Sequence, residues 1–293
     1  MMTGMHGRTP MEMAKGEMGS QGTRVNGRVL VVAGSDSGGG AGIQADIKTI
    51  TALGGYAMTA VTALTAQNTE GVNGIVETSG GFVAKQMRMV LKDIGADVIK
   101  IGMVPNEETI ESVHYTYMEF APDIPIVLDP VMMAKGGHPL IDRDAIHLVR
   151  QHFLLHAAIA TPNIPEAEVL TGMEIRTLND MKHAAEIMIT LGCQAVLVKG
   201  GHFEGDMLYD VLFSEDGLEV FEDTRIDTPH THGTGCTLAS AIAAGLAQKM
   251  GLRDSVARAR SYVREAILSA PGFGKGHGPL NHVHTVAPYH PER

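Results

Sequence analysis

The sequence predicts an α/β fold: a mostly parallel central sheet with helices on both faces, layered α-β-α. Three observations carry that expectation. Short apolar runs alternate with segments whose apolar residues recur at helical spacing. The runs are nearly continuous rather than alternating, as strands buried on both faces are. Each run also stops at a glycine, a proline or a small polar residue.

Taken in order, Val29-Leu30-Val31-Val32-Ala33 ends at Gly34 and reads as a buried strand. Ile43, Ile47, Ile50 and Leu53 give residues 43–53 a helical face, and Tyr56 to Leu64 is strand-like. A helix over 82–91 precedes the strand Val98-Ile99-Lys100-Ile101. A helix over 106–119 precedes Ile126-Val127-Leu128, which Asp129-Pro130 stops. Ala157 to Ala160 is stopped by Thr161-Pro162-Asn163, and Asn163-x-x-Glu166 sits at a helix start. A helix over 179–191 leads to Ala195-Val196-Leu197-Val198, stopped by Lys199-Gly200-Gly201. Residues 207–213 and 218–222 read as a β-hairpin around Glu215-Asp216-Gly217, and helices at 235–249 and 253–269 close the pattern. No linker, repeat or composition break follows residue 28, so 28–282 is expected to be one domain, with 283–293 a C-terminal tail. Residues 1–27 carry six scattered methionines and no periodic face or secretory apolar run; they are expected to be a disordered tail.

The 293 residues are 44% apolar and contain no Trp, so aliphatic residues and Met must fill the core. A net charge of −10 argues against general nucleic-acid binding, which needs a basic face. Cys193 and Cys236 alone cannot build a disulfide scaffold, and a reducing, cytoplasmic setting is expected. No run is long enough to span a membrane. His230, His232, His277, His282 and His284 lack zinc spacing and read as loop residues.

Ligands of such sheets collect at the carboxyl ends of the strands. There the sequence supplies Gly34-Ser35-Asp36, Gln67-Asn68, Gly102-Met103, Asp129-Pro130, Thr161-Pro162-Asn163 and Lys199-Gly200-Gly201. Six such groups on one sheet edge imply a site. Gly38-Gly39-Gly40-Ala41-Gly42 fits neither a dinucleotide fingerprint nor a P-loop. It is either a turn or a loop that lets a ligand lie on the backbone. Asp46, one turn into the next helix, is either a dipole-stabilising carboxylate or a ligand contact. The Gln67 amide offers a donor and an acceptor side by side, suited to a nitrogen heterocycle, or it satisfies a turn. Asn163 and Glu166 either cap a helix or place a carboxylate near a hydrated cation. Lys199 is a fixed cation suited to polyphosphate, or a snorkelling lysine.

The strongest signal is His232-Gly233-Thr234-Gly235-Cys236-Thr237, followed by a helix-forming run of small residues. Glycines let another group approach the backbone, and a helix N-terminus presents unpaired N–H groups with partial positive charge. Together they make an anion site of main chain alone. Cys236 falls in the first turn, where the helix dipole is expected to lower its thiol pKa; the alternative is a small buried core residue.

The segment from Ala33 to Asp46 resembles the opening motif of the bacterial hydroxymethylpyrimidine/phosphomethylpyrimidine kinase (ThiD) family. Thr65-Ala66-Gln67-Asn68-Thr69, Lys100-Ile101-Gly102-Met103, Leu128-Asp129-Pro130-Val131-Met132 and Thr161-Pro162-Asn163-x-Pro165-Glu166-Ala167 follow in family order. So do Val198-Lys199-Gly200-Gly201-His202 and Thr231-His232-Gly233-Thr234-Gly235-Cys236-Thr237, while Gly276-His277-Gly278-Pro279 is similar to the closing motif. The resemblance covers about 28 to 282.

The resemblance implies a ribokinase-like fold, ATP with Mg²⁺, a homodimer, and two successive phosphorylations of one pyrimidine. It puts the catalytic centre at Cys236 with the anion hole of Gly233, Thr234 and Gly235. The family's ring-binding glutamine falls on Gln67 and its apolar ring contact on Met103; beside them Asp46, Gly34 and Asp129 are expected to contact the substrate. Lys199, Asn163 and Thr231 fall on the nucleotide, and Glu166 on the metal through water. Pyridoxal kinase, whose substrate also has a hydroxymethyl arm, and a non-catalytic pyrimidine sensor are the alternatives.

Overall fold

A computed structural model describes residues 25–133, 137–201 and 205–288. Its centre is a nine-stranded sheet of order β3-β2-β1-β4-β5-β6-β7-β8-β9. The strands are β1 (Arg28–Asp36), β2 (Tyr56–Gln67), β3 (Val72–Glu77), β4 (Val98–Ile101), β5 (Ile126–Leu128), β6 (Ala157–Ala160), β7 (Val196–Lys199), β8 (Met207–Ser214) and β9 (Gly217–Thr224). The strands from β2 through β1 to β7 pair in parallel; β3 joins β2, and β8 and β9 extend β7, antiparallel.

The helices are α1 (Gly42–Ala52), α2 (Gly80–Asp93), α3 (Glu107–Phe120), α4 (Ile164–Thr171), α5 (Leu178–Thr190), α6 (Thr234–Ala247) and α7 (Leu252–Leu268), with short helical turns over 143–156. Val29, Leu30, Val31 and Val32 of β1 are fully buried and alternate between two cores. Val29 and Val31 pack towards Ala241, Ile242 and Val256 of α6 and α7; Leu30 and Val32 join the core that holds Met87, Ile110 and Met181 of α2, α3 and α5. Each such aliphatic side chain contributes about 1.5–3 kcal/mol of burial. The α-β-α layering follows from covering both faces of continuous apolar strands.

One sheet element was not expected from the sequence. Val72–Glu77 is mostly exposed and contains Gly74, so it lacks a strand's apolar signature; it pairs with β2, which runs on to Gln67 and offers it an edge. The order of strand addition reverses at β1, which has β2 on one side and β4 on the other, both parallel to it. Such a switch point leaves a crevice beyond the strand ends.

The segment 276–282 closes the molecule. The His277 N–H donates to Thr69 O at 2.8 Å, Gly278 O accepts from the His232 N–H at 3.1 Å, and the Asn281 N–H donates to Ala266 O at 3.0 Å. Beyond it, Thr285 Oγ1 still donates to Ala52 O at 3.2 Å. Residues 1–24, His202 and residues 289–293 lie outside the described residues, so the N-terminal tail and the end of the Val198–His202 motif are not located.

Candidate active site

A cavity of about 890 Å³ lies at the carboxyl edge of the sheet. It is lined by Gly34, Gln67, Met103, Asp129, Asn163, Glu166, Lys199, Thr231, Gly233, Thr234, Gly235 and Cys236. The structure therefore brings together every expected site residue but Asp46. Asp46 is fully buried in α1 and does not line the cavity; its carboxylate accepts from Lys100 Nζ at 3.1 and 3.2 Å and from Ser240 Oγ at 2.6 Å. Burial raises its pKa, and Lys100 pulls against that rise. The partner demanded by a lysine inside an apolar strand is what Asp46 supplies.

Helix α6 begins at Gly233, whose φ of 85° is left-handed and suits glycine. A Cβ there would collide with the Gly40 carbonyl, so the two glycine loops touch backbone to backbone. The first bond of the helix runs from the Thr237 N–H to Gly233 O at 2.9 Å. The amides of Gly235 and Cys236 precede it and have no partner within the helix. A Cβ at Gly235 would lie 3.3 Å from Lys199 Nζ and 3.7 Å from Asp129 Oδ2, so this amide cradle faces a cation and a carboxylate.

Burial pushes the Cys236 thiol up to about 12. Lys100 lowers it, but Asp46 and Asp129 add to the rise. The expected depression by the helix dipole is overturned: dense surroundings and two carboxylates outweigh one helix end.

Asp129 ends β5, only 2% exposed. Its Oδ1 accepts from Lys199 Nζ at 3.2 Å and from Thr161 Oγ1 at 3.3 Å, whereas Oδ2 is buried with no partner. Asn163 and Glu166 form a capping box on α4: the Glu166 N–H donates to Asn163 Oδ1 at 2.9 Å, and the Asn163 N–H to Glu166 Oε2 at 2.8 Å. Burial pushes the Glu166 carboxyl up to about 7, against the pull of Lys199. Burial works against charge on Lys199 too, but Asp129 and Glu166 more than offset it and raise its pKa.

Two residues outside the expected set belong to the site. Asp36 is buried at the end of β1 and organises the glycine-rich loop. Its Oδ1 accepts from the Gly38 N–H at 2.8 Å, and its Oδ2 accepts from the Gly40 and Ala41 N–H groups at 3.0 and 2.8 Å. His232 places Nε2 at 2.9 Å from that same Oδ2. His232 and His282 lie outside every helix and strand, as expected, but both are buried, and His282 Nδ1 lies 3.1 Å from Tyr262 Oη. No spacing rule reveals the Asp36–His232 pair, because 196 residues separate its members.

Among the described residues no group of His, Cys, Asp or Glu is arranged to hold a metal by protein ligands alone, and no helix is long and apolar enough to cross a membrane.

Comparison with known proteins agrees with this geometry. Residues 36–281 match the family described as Phosphomethylpyrimidine kinase. The chain is 49% identical over 257 residues to the thiamine biosynthesis bifunctional protein ThiED of Geobacter sulfurreducens, covering 88% of this chain but only 52% of that protein, so it spans about half the length of that relative. It is 42% identical over 256 residues to the hydroxymethylpyrimidine/phosphomethylpyrimidine kinase of Bacillus subtilis, covering 87% of this chain and 94% of that one. Among solved structures, an ADP complex of Bacillus subtilis pyridoxal kinase superposes with a TM-score of 0.81 at 34% identity, covering 88% of this chain and 98% of that one. The sheet with its two helical layers is thus the ribokinase-like fold. With a match running from the Asp36 loop to the closing segment, through every strand end that lines the cavity, the chain belongs to the phosphomethylpyrimidine kinase family.

Proposed function

We propose that this chain phosphorylates 4-amino-5-hydroxymethyl-2-methylpyrimidine from ATP, and then phosphorylates the monophosphate to the diphosphate, in thiamine biosynthesis. The observation that carries the reading is the position of the Gly233–Cys236 turn. On one side His232 reaches Gln67; on the other, Gly235 faces Lys199 and Asp129. A ring reader and a polyphosphate site thus flank one amide cradle.

Phosphoryl transfer needs positioning and charge stabilisation more than covalent help from the protein. In the proposed reaction Gln67 and Met103 hold the ring; Met103 Sδ lies 2.8 Å from where a Cβ of Gly34 would stand, so glycine there leaves room for it. The Gly235 and Cys236 amides hold the transferring phosphoryl group in line with the acceptor oxygen. Lys199 offsets charge on the β- and γ-phosphates, and Asn163 and Thr231 border the nucleotide. Cys236 takes the proton from the hydroxymethyl oxygen. Because its thiol is protonated in the empty site, it first gives up its own proton to solvent, and only the resulting thiolate accepts the proton of the acceptor hydroxyl. Lys100 is the cation that lowers its pKa.

A buried carboxylate oxygen without a partner fits a hard cation. Asp129 Oδ2 is such an oxygen, and Glu166 stands at the same cavity wall to act through water. Mg²⁺ bound with ATP would supply charge shielding between the phosphates. The proposed enzyme works in the cytoplasm as a homodimer, with residues 28–282 as its catalytic unit. It engages no nucleic acid or membrane.

The test is a purified-enzyme assay with ATP and the pyrimidine, resolving mono- and diphosphate and run in parallel on pyridoxal. Both pyrimidine products should appear in sequence. Turnover of pyridoxal in preference to the pyrimidine, or no consumption of ATP, would overturn the proposal. Within the same assay Cys236→Ala should slow the first step about 100-fold, as loss of a general base does. The second step should suffer much less, because its phosphate acceptor is already ionised near pH 7. Cys236→Asp should restore part of the first step. Equal losses in both steps would remove the base assignment.

A further inference from the structure

The main chain of Gln67 is fixed by Ser37. The Gln67 N–H donates to Ser37 Oγ at 2.8 Å, and Ser37 Oγ–H donates back to Gln67 O at 2.8 Å. The end of the side chain lies between two groups: its oxygen is placed 3.1 Å from Thr65 Oγ1 and its nitrogen 3.3 Å from His232 Nε2. A side-chain amide has the same shape either way round, so its neighbours' protons decide which end is oxygen.

Those protons are determined. The Asp36 carboxylate already accepts three backbone N–H groups. His232 and those amides hold its pKa below the usual carboxylate range against the effect of burial, so it only accepts. His232 Nε2, 2.9 Å from it, must carry a hydrogen, whether the ring is neutral or charged. An amide N–H of Gln67 facing that nitrogen would set donor against donor. The amide oxygen there instead shares, at 3.3 Å, the one Nε2 hydrogen whose main acceptor is Asp36 at 2.9 Å. The other neighbour permits this: the single Thr65 Oγ1 hydrogen has the shorter of its two contacts to Ser35 O, 2.9 Å against 3.1 Å to Gln67, and given to Ser35 it leaves the Thr65 oxygen able to accept. Only one orientation satisfies every group, with the Gln67 oxygen towards His232 and its NH₂ towards Thr65. One N–H of that NH₂ is then left for the cavity.

We infer that His232, held by Asp36, is a positioning residue that fixes the polarity of the Gln67 amide, so that the site reads a hydrogen-bond acceptor in the ring of its substrate. This rests on the proposed role of Gln67 as ring reader. The chemistry it selects is a heteroaromatic nitrogen carrying a lone pair. It disfavours a C–H at the same place, because the Gln67 N–H would then be left unpaired.

The experiment compares kcat/KM for the pyrimidine and for its pyridine isostere, in which C–H replaces the ring nitrogen beside the amine. Wild type should prefer the pyrimidine by about tenfold or more, the worth of one buried hydrogen bond. Gln67→Leu should abolish the preference. His232→Ala should reduce it to about threefold or less, and His232→Gln, which restores an N–H donor, should recover it. The His232→Ala/Gln67→Leu pair should show no loss of preference beyond Gln67→Leu alone. A preference that survives His232→Ala at reduced kcat would make His232 a structural residue and overturn the inference. A preference that survives Gln67→Leu would instead overturn the ring-reader role. In the wild-type protein, ¹⁵N chemical shifts should show Nε2 of His232 protonated, and a bare Nε2 would overturn the inference whatever the variants do.

Discussion

The molecule contains two lysine–aspartate pairs that are nearly identical as chemistry and opposite in use. Lys100 and Asp46 meet at 3.1 Å, Lys199 and Asp129 at 3.2 Å, and both lysines come from strands of the same sheet. The first pair is closed. Both side chains are fully buried, and both oxygens of Asp46 are engaged, by Lys100 and Ser240. The second is open: the Lys199 side chain keeps 15% exposure, and Asp129 Oδ2 has no partner. A closed pair can only hold the fold and project a field. An open pair has capacity left for a ligand. Satisfaction of hydrogen bonds, rather than distance or residue type, separates scaffold from site.

Asp46→Asn should break the closed pair and produce the largest effect. Removing one partner leaves the Lys100 charge buried and unpaired, which costs about 3–5 kcal/mol. Denaturant unfolding should show it as a large drop in midpoint. Retention of the wild-type midpoint would mean that water or another carboxylate reaches Lys100.

Asp129→Asn should leave stability nearly unchanged, because Lys199 can turn to water, and should lower kcat about 100-fold through loss of the anionic oxygen proposed to face the hard cation. A loss in midpoint matching that of Asp46→Asn would erase the distinction between the pairs.

Two glycines sharpen the same contrast. A methyl at Gly102 would stand 2.8 Å from Lys100 Nζ and 3.1 Å from Ala33 Cβ, with neither free to move. Gly102→Ala should therefore cost about 2 kcal/mol of stability by overpacking. A methyl at Gly235 would stand 3.3 Å from Lys199 Nζ, whose side chain can yield. Gly235→Ala should keep its melting point and lose phosphoryl transfer instead.

The smallest expected effect is on pH. Burial raises the Glu166 carboxyl from its ordinary value to about 7, so the folded state favours the protonated form. That contribution to stability is complete below about pH 4.5 and is lost as pH rises through 7. Unfolding of the ligand-free enzyme from pH 5 to 7.5 should show a loss of about 1–2 kcal/mol that is absent in Glu166→Gln. Parallel curves for the two proteins would place the Glu166 titration outside this range.

The parallel core was legible because Val29–Val32 and Ile126–Leu128 are apolar on both faces, as is Val98–Ile101 but for Lys100, and burial on both faces leaves no other reading. The cavity-lining residues were legible because strand ends and helix starts use small and polar residues at short range. Strand β3 was not, since it borrows its order from β2 rather than from its own side chains. Asp46 gave an ambiguous signal from its helix position alone. Lys100, set between Ile99 and Ile101 in a four-residue buried strand, was the missed clue: a cation there requires a buried carboxylate. The Asp36–His232 contact left no local trace, because it exists only once the first strand and the start of α6 are brought together by the sheet.

The closing segment bears on how the protein is made. The turn that carries Gly233 and Cys236 is tied through His232 to Gly278, and the loop after β2 is tied through Thr69 to His277. Both ties use residues translated after nearly all of the sheet. The strands can therefore pair before the reaction centre receives its last fastening. Domains fold as units when their distant contacts become available, and long-range contacts come late. Catalytic competence in this chain therefore depends on a fastening that lies beyond every strand of the sheet, and it forms after the hydrophobic core rather than with it.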